Sequence, residues 1–413
     1  MTARQTFVIV GGGLAAGKAV QEVRESGFDG HLVLYGAEAH LPYERPPLSK
    51  GYLAGSAARE KVWVHPEDWY AEHGIELRLN QTVSRIDRDA RRVELADGSQ
   101  LGYDKLLLTT GASPRTLSVP GADADGVYLL RTLDDSDSLR ELLARISRLV
   151  VIGAGWIGLE VSAAAREAGV EVTVIESAEL PLLRVLGPEV ARVFADLHVQ
   201  HGVDFRFNAS LAEICTSDGR ATGVSLGDGT VIQADAVLVA VGVKPNSDLA
   251  EAAGLSVDNG IVVDSSLGTS DSRIFAAGDV ANAMNALYNK HVRVEHWANA
   301  LNQPATVAAS MLGQPANHDQ LPYFFTDQYD LGMEYVGLVD SGGYDEVVFR
   351  GDVAAREFIA FWVRDGHVLA GMNVNVWDVV DDIKALIRSQ ARISTERLAD
   401  PGTPLGELAG VAS

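Results

Sequence analysis

The glycine-rich turn that opens a dinucleotide-binding fold occurs twice in this chain, and nothing else constrains its architecture as tightly. The first copy, Gly11-Gly12-Gly13-Leu14-Ala15-Ala16, follows the apolar run Phe7-Val8-Ile9-Val10. The second, Gly153-Ala154-Gly155-Trp156-Ile157-Gly158, follows Leu149-Val150-Val151-Ile152. In such a turn the first glycine makes the tight bend and the second lets backbone approach a pyrophosphate. The negative charge then meets the N-terminus of the following helix. Apolar patterning predicts strands at 6–10 and 31–35 around a helix at 14–26, and strands at 148–152 and 170–176 around a helix at 156–168. Two such units imply two dinucleotides, which is what a flavin reduced by a nicotinamide requires.

An acid near the end of each second strand refines this. Glu176 stands about 20 residues beyond Gly155, where a carboxylate binds adenosine ribose hydroxyls. It would repel a 2′-phosphate, and no arginine follows until Arg184, so NADH is favoured over NADPH. In the first unit the equivalent stretch, Tyr35-Gly36-Ala37-Glu38, makes Glu38 the ribose candidate. Glu160 lies in an otherwise apolar helix, and a carboxylate there is costly to bury unless paired.

At about 100–200 residues per domain, 413 residues make two to four domains. Strand–glycine–proline segments at 103–115 and 234–246 are plausible crossings between them, and a short strand ends at Gly278-Asp279. From about Tyr323 the pattern changes to strands at 333–339, 345–351, 356–363 and 367–376, then a helix at 378–391. The fold class expected is α/β, with two Rossmann-like dinucleotide-binding domains and a C-terminal α+β domain.

A formal net charge of −22 argues against nucleic acid and anionic membranes as partners. The single cysteine, Cys215, allows no intrachain disulfide and no multi-thiolate metal site. It reads as an inert strand residue, and a cytoplasmic location fits. The histidines show no metal-ligand spacing, so no metal is expected. The few polar residues before the first strand leave no room for a signal peptide. The most apolar stretch, Leu149 to Ala165, is too interrupted to insert in a membrane.

The segments Leu41-Pro42-Tyr43-Glu44-Arg45-Pro46-Pro47-Leu48-Ser49-Lys50, Thr110-Gly111-Ala112-Ser113-Pro114-Arg115, Gly278-Asp279 and Glu295-His296-Trp297 look like the flavin-dependent ferredoxin reductases. Those enzymes serve bacterial cytochrome monooxygenases and ring-hydroxylating dioxygenases, and they are close to rubredoxin reductases and apoptosis-inducing-factor-like proteins. The resemblance runs through nearly the whole chain. It implies an FAD domain in two segments (1–112 and 241–320), an inserted NAD domain (113–240) and a C-terminal domain (321–413).

It also implies roles. Arg45 would lie toward the FAD pyrophosphate, Lys50 beside the isoalloxazine, and Asp279 on the ribitol chain at a helix start. Arg131 matches an arginine near the flavin. Trp297 would open a helix through Met311 whose N-terminus faces the flavin's pyrimidine edge, where the reduced ring carries negative charge. Glu160 would pair with Lys50 where flavin and nicotinamide meet, making these two the catalytic candidates. Further cofactor-binding candidates are Val83, Thr110, Gly111, Arg184, Gly242 and Gly278. Two positions depart from the family: Thr109 replaces a common alanine, and Ala37 stands where many members carry an acid.

No cysteine accompanies the Leu41 to Lys50 stretch, so disulfide reductase, coenzyme A disulfide reductase and cysteine-based peroxidase chemistry are not expected. The expected activity is hydride transfer from NADH to FAD, then single electrons to a [2Fe–2S] ferredoxin. Alternatives are a rubredoxin reductase, a flavin NADH oxidase, or an apoptosis-inducing-factor-like NADH sensor. A monomer or homodimer is expected. Lys384, Arg388 and Arg392, four residues apart, form a candidate basic helix stripe for an acidic ferredoxin.

Overall fold

Short β-branched and leucine-rich segments, too apolar to face water, form the central parallel strands of two separate sheets. The computed structural model describes residues 4–408. Their contacts group into two units. One comprises the described residues up to Pro46, Ala58–Ser113 and Val243–Pro322. The other comprises Pro47–Ala57, Pro114–Gly242 and the described residues from Tyr323 onward.

In the first unit the parallel order is Ile75–Arg78, His31–Tyr35, Thr6–Val10, Lys105–Leu108, Ile274–Ala276. Its central strand is almost wholly buried, from Phe7 to Val10. Such two-sided burial explains a run of consecutive apolar residues without alternation. The second unit repeats the order with Asp204–Arg206, Glu171–Ile175, Arg148–Ile152, Ala236–Val239 and Val127–Tyr128. Each unit inserts a three-stranded antiparallel meander at the equivalent point. These are Val83–Asp87, Arg92–Leu95 and Gln100–Gly102 in one, and Leu211–Ser217, Arg220–Leu226 and Val231–Gln233 in the other.

The C-terminal segment forms an antiparallel sheet in the order Tyr323–Gln328, Leu331–Gly337, His367–Val374, Glu357–Arg364, Glu346–Asp352, with helix Val380–Ser389 against it. The close fit shows at Gly371, where a built Cβ would stand 2.6 Å from Ile383. This sheet shares its unit with the second dinucleotide fold. Trp156 packs on Phe324 at a centroid distance of 5.0 Å, and the buried Trp362 indole donates to the Leu186 carbonyl at 3.0 Å. The α/β class with an α+β C-terminal segment is thus as the patterning predicts.

Local differences have physical causes. Strand Tyr323–Gln328 had no counterpart among the expected strands, because Phe324 and Phe325 are adjacent and blur the alternation. Asp279 does not begin an α-helix. It sits in a 3₁₀ turn, Gly278–Val280, that passes directly into strand Ala281–Asn285. Arg392 lies beyond helix Val380–Ser389, which stops at Ser389 with Gln390 in the left-handed region.

Candidate functional site

Both glycine turns are enforced by backbone rather than by side chains. Gly11 has φ of +123°, and a Cβ there would stand 2.1 Å from the Thr109 carbonyl oxygen. Gly153 has φ of +100°, and its Cβ would lie 2.5 Å from the Ala240 oxygen. The middle glycines behave oppositely. A Cβ at Gly13 or Gly155 would meet no protein atom within 4 Å, so these turns face open space. Helices Leu14–Glu25 and Trp156–Glu167 begin directly after them. Among the described residues no side chain caps either helix, and neither first turn holds an acid. Uncapped N–H groups beside open space suit a pyrophosphate. The third positions differ: Ala16 is fully buried, whereas a Cβ on Gly158 would stand 2.2 Å from the Gly153 oxygen.

The two acids are held differently. Glu176 follows strand Glu171–Ile175 and folds back on the turn, its Oε2 accepting from the Ala154 N–H at 2.8 Å and its Oε1 from the Ala178 N–H at 2.8 Å. Glu38 lies three residues beyond its strand. It accepts from the Tyr43 hydroxyl at 2.5 Å and from Arg45 Nη2 at 3.4 Å. Arg45 also lies over the Tyr43 ring at 5.3 Å, so Glu38 and Arg45, singled out separately, occupy one cluster.

Within the second unit the structure brings Lys50 and Glu160 together. Helix Trp156–Glu167 presents Glu160 inward, only 5 % exposed, and Lys50 Nζ donates to its Oε1 at 2.6 Å. Thr326 Oγ1 donates to the same oxygen at 2.5 Å, and the Ser49 hydroxyl donates to Oε2. A buried carboxylate with one cation and two hydroxyl donors has its desolvation offset. Burial pushes the neighbouring Asp327 carboxyl up, reinforced by Glu160 and Glu334 and opposed by Lys50. Ser49 carried no local signal, and Thr326 only its place as a polar residue on the inward face of its strand. They reach Glu160 across 111 and 166 residues of chain.

Residues 5–303 match the model of the pyridine nucleotide-disulphide oxidoreductases, and residues 323–409 that of the reductase C-terminal region. The chain belongs to this oxidoreductase family. It is 39 % identical to putidaredoxin reductase CamA of Pseudomonas putida, over 100 % of this chain and 98 % of that one. It is 42 % identical to the ferredoxin–NAD(+) reductase component of the anthranilate 1,2-dioxygenase system of Burkholderia cepacia, over 96 % and 97 %. Among solved structures it matches the covalent putidaredoxin reductase–putidaredoxin complex with a TM-score of 0.95 and 39 % identity, covering 99 % of each chain.

Although the family name refers to a disulphide, the sequence carries one thiol, Cys215. It lies half-buried on strand Leu211–Ser217, opposite Gly223. The remaining candidates fall into the same two units. In the first, Thr110 Oγ1 donates to the Asn246 carbonyl at 2.7 Å and the Asn246 N–H donates to Gly111 at 2.9 Å. Thr109, the departure from the family, donates its hydroxyl to the Val10 carbonyl at 3.1 Å, behind Gly11. Gly278 comes within 3.1 Å of the Ala15 methyl by its built Cβ, and its N–H donates to the buried Gln303 side chain at 2.7 Å. Gln303 belongs to helix Trp297–Met311, which starts at Trp297 as expected. Val83 is buried at the start of its meander.

In the second unit Arg131 precedes helix Leu133–Leu143, its N–H donating to Asp135 at 3.0 Å. Arg184 and Ile157 are exposed, and Gly242 is an exposed glycine with φ of +94°. The basic stripe is not assembled. Arg392 is off the helix, and Lys384 donates to Asp381 at 2.9 Å. Among the described residues no helix is long and apolar enough to cross a membrane.

Proposed function

We propose that the chain is an FAD-containing, NADH-dependent ferredoxin reductase that supplies a [2Fe–2S] ferredoxin of an oxygenase system in the cytoplasm. The observation that carries this reading is the pair of turns open at Gly13 and Gly155, each beside uncapped helix N–H groups. The named relatives add the acceptor, since one serves anthranilate dioxygenase and another is joined to putidaredoxin.

Bound FAD supplies the conversion of a two-electron donor into single electrons; the side chains bind and orient. The turn Gly11, Gly13, Leu14, Ala15 and Ala16 would hold the FAD pyrophosphate, with Glu38 on the ribose, Arg45 beside the phosphates and Asp279 on the ribitol. Val83, Thr110, Gly111, Arg131, Gly278 and the N-terminus of helix Trp297–Met311 would complete the flavin contacts. Gly153, Gly155, Ile157 and Gly158 would receive NADH, with Glu176 on its ribose hydroxyls and Arg184 and Gly242 at its edges. A carboxylate already fixed by two backbone N–H groups is pre-organised for those hydroxyls and repels a 2′-phosphate. Lys50 and Glu160 would orient the groups that exchange electrons. Cys215 has no part.

The test is anaerobic rapid mixing of the flavin-loaded protein with NADH and with NADPH, followed by steady-state turnover with [2Fe–2S] ferredoxins, rubredoxin and oxygen. Fast reduction by NADH and turnover dominated by a ferredoxin are expected. Turnover that is as fast with oxygen alone would identify an oxidase instead. Slow acceptor reduction with NADH-dependent dimerisation would identify a sensor.

A further inference from the structure

Strand Tyr323–Gln328 points Phe324, Thr326 and Gln328 inward, and the last two are polar yet only 1 % exposed. Two polar side chains in succession on a core face need an explanation. Gln328 Nε2 donates to Thr326 Oγ1 at 3.2 Å, and Thr326 donates onward to Glu160. Gln328 Oε1 lies 2.7 Å from Nε2 of His198, a fully buried histidine on helix Leu183–Gln200. On the far side of that ring, Nδ1 lies 3.5 Å from the Tyr329 hydroxyl.

The donor inventory fixes the direction of every link. Glu160 as a carboxylate only accepts, so Thr326 spends its one proton there and must accept from Gln328. Gln328 then offers its oxygen to His198, which must carry its proton on Nε2. That leaves Nδ1 to accept from Tyr329. Burial lowers the His198 imidazole to about 4, which keeps it neutral as this polarity requires. Tyr329 is itself held unusually. It occupies the two-residue turn before strand Leu331–Gly337 with φ of +54°, a conformation rare for a bulky residue, and its ring stacks on His201 at 3.6 Å.

We propose that Tyr329, His198, Gln328 and Thr326 form a one-directional hydrogen-bond chain that positions the Glu160 carboxylate toward Lys50 for the reduction step. This rests on the reading that the Lys50–Glu160 pair serves that step. Aligned donors polarise one another, so the last of them, the Thr326 hydroxyl, meets the carboxylate as a stronger donor than an isolated threonine. The amide of Gln328 makes the chain a positioning device rather than a proton path, because a primary amide does not readily pass a proton along. Charged groups around its two ends are Lys50 and Asp327 by Glu160, with Glu334 by Asp327, and His201, Arg166 and Glu167 near Tyr329 and His198.

The test compares Thr326→Val, Thr326→Ser, Gln328→Met and Glu160→Gln as flavin-loaded full chains in anaerobic rapid mixing with NADH. Thr326→Val is expected to slow the limiting rate of flavin reduction about tenfold, an amount typical of one charge-assisted hydrogen bond. NADH affinity should change less than twofold, Thr326→Ser should restore the rate, and Gln328→Met should give a smaller loss. A second readout needs no turnover: imidazole nitrogen NMR should show His198 as the Nε2–H tautomer. The Nδ1–H tautomer overturns the chain's direction. A Thr326→Val rate equal to wild type, with Glu160→Gln slow, overturns the inference and leaves the function of the pair intact. A wild-type rate in Glu160→Gln overturns the reading of the pair and the inference with it. Should Thr326→Val fail to fold, Gln328→Met and the NMR tautomer decide.

Discussion

The two glycine turns share a plan and differ in what keeps them in place. At the first, the third position is a buried alanine, Ala16, and the residue after strand Lys105–Leu108, Thr109, bonds its hydroxyl to Val10. At the second, the third position is Gly158, with no room for a methyl, and a carboxylate, Glu176, ties down the turn through the Ala154 N–H. The first acid, Glu38, is instead engaged with Tyr43 and Arg45. On the proposed assignment, with flavin at the first turn and nicotinamide at the second, the two turns would face different demands. The acid of the first is built into a cluster of side chains, while that of the second is held by two backbone N–H groups and the hydroxyl of its neighbour Ser177.

The strongest way to test the shared plan is to place a methyl where both turns exclude it. Gly11→Ala and Gly153→Ala should each lose about 3 kcal/mol or more of stability, measured by denaturant unfolding, because each Cβ meets a carbonyl oxygen and each φ is positive. Equal tolerance at either site would mean that the turn can relax, and the comparison would fail there.

Acid should sharpen the contrast next. His198 is lowered by burial to about 4 from an ordinary 6.5. The unfolded chain therefore binds its proton first, and stability falls as pH drops from 6.5 toward 4. The loss for this residue is on the order of 3 kcal/mol, and its contribution is fully present above 6.5. His65 and His296, in the first unit, are lowered in the same way. The slope of unfolding free energy against pH should therefore flatten in His198→Gln without vanishing. An unchanged slope would show that His198 takes no part in acid sensitivity.

Smaller effects separate ligand from fold. Gly13→Ala and Gly155→Ala should leave stability within about 0.5 kcal/mol, since neither Cβ meets protein. Gly13→Ala should lose FAD on gel filtration, whereas Gly155→Ala should keep FAD and bind NADH about tenfold more weakly, a change of about 1.4 kcal/mol. Loss of FAD from both would show that the two sites are not separable. Ala16→Gly should lose only about 1 kcal/mol of stability, the ordinary propensity difference in a helix, with FAD retained. A much larger loss would make the Ala16 methyl a packing element peculiar to the first turn.

Much of this was legible in the sequence, because strands and glycine turns are local. The run Val8–Val10 follows from neighbouring residues alone, whereas the start of helix Trp297–Met311 came through family resemblance. Lys50 and Glu160 were named as a pair, but only through family resemblance. Ser49, Thr326, Gln328 and His198 were not seen, because what makes them matter is contact between segments far apart in the chain. The one local sign was polar residues at alternate positions of Tyr323–Gln328, and that strand was itself obscured by adjacent phenylalanines. Arg392 differs for the converse reason: the four-residue spacing runs on past a helix that ends at Ser389.

The fifth strand of each parallel sheet comes from opposite ends of its unit, Val127–Tyr128 before the second turn and Ile274–Ala276 long after the first. As the chain emerges from a ribosome, the later turn therefore finishes its sheet first. By Val239 the second sheet has all five strands, while the first still waits for residues 274–276. The strand edge at Lys105–Leu108 must stay unpaired through the synthesis of an entire neighbouring nucleotide fold. It is there, on the half-built first sheet, that a nascent chain of this kind is most open to mispairing and to the attention of chaperones.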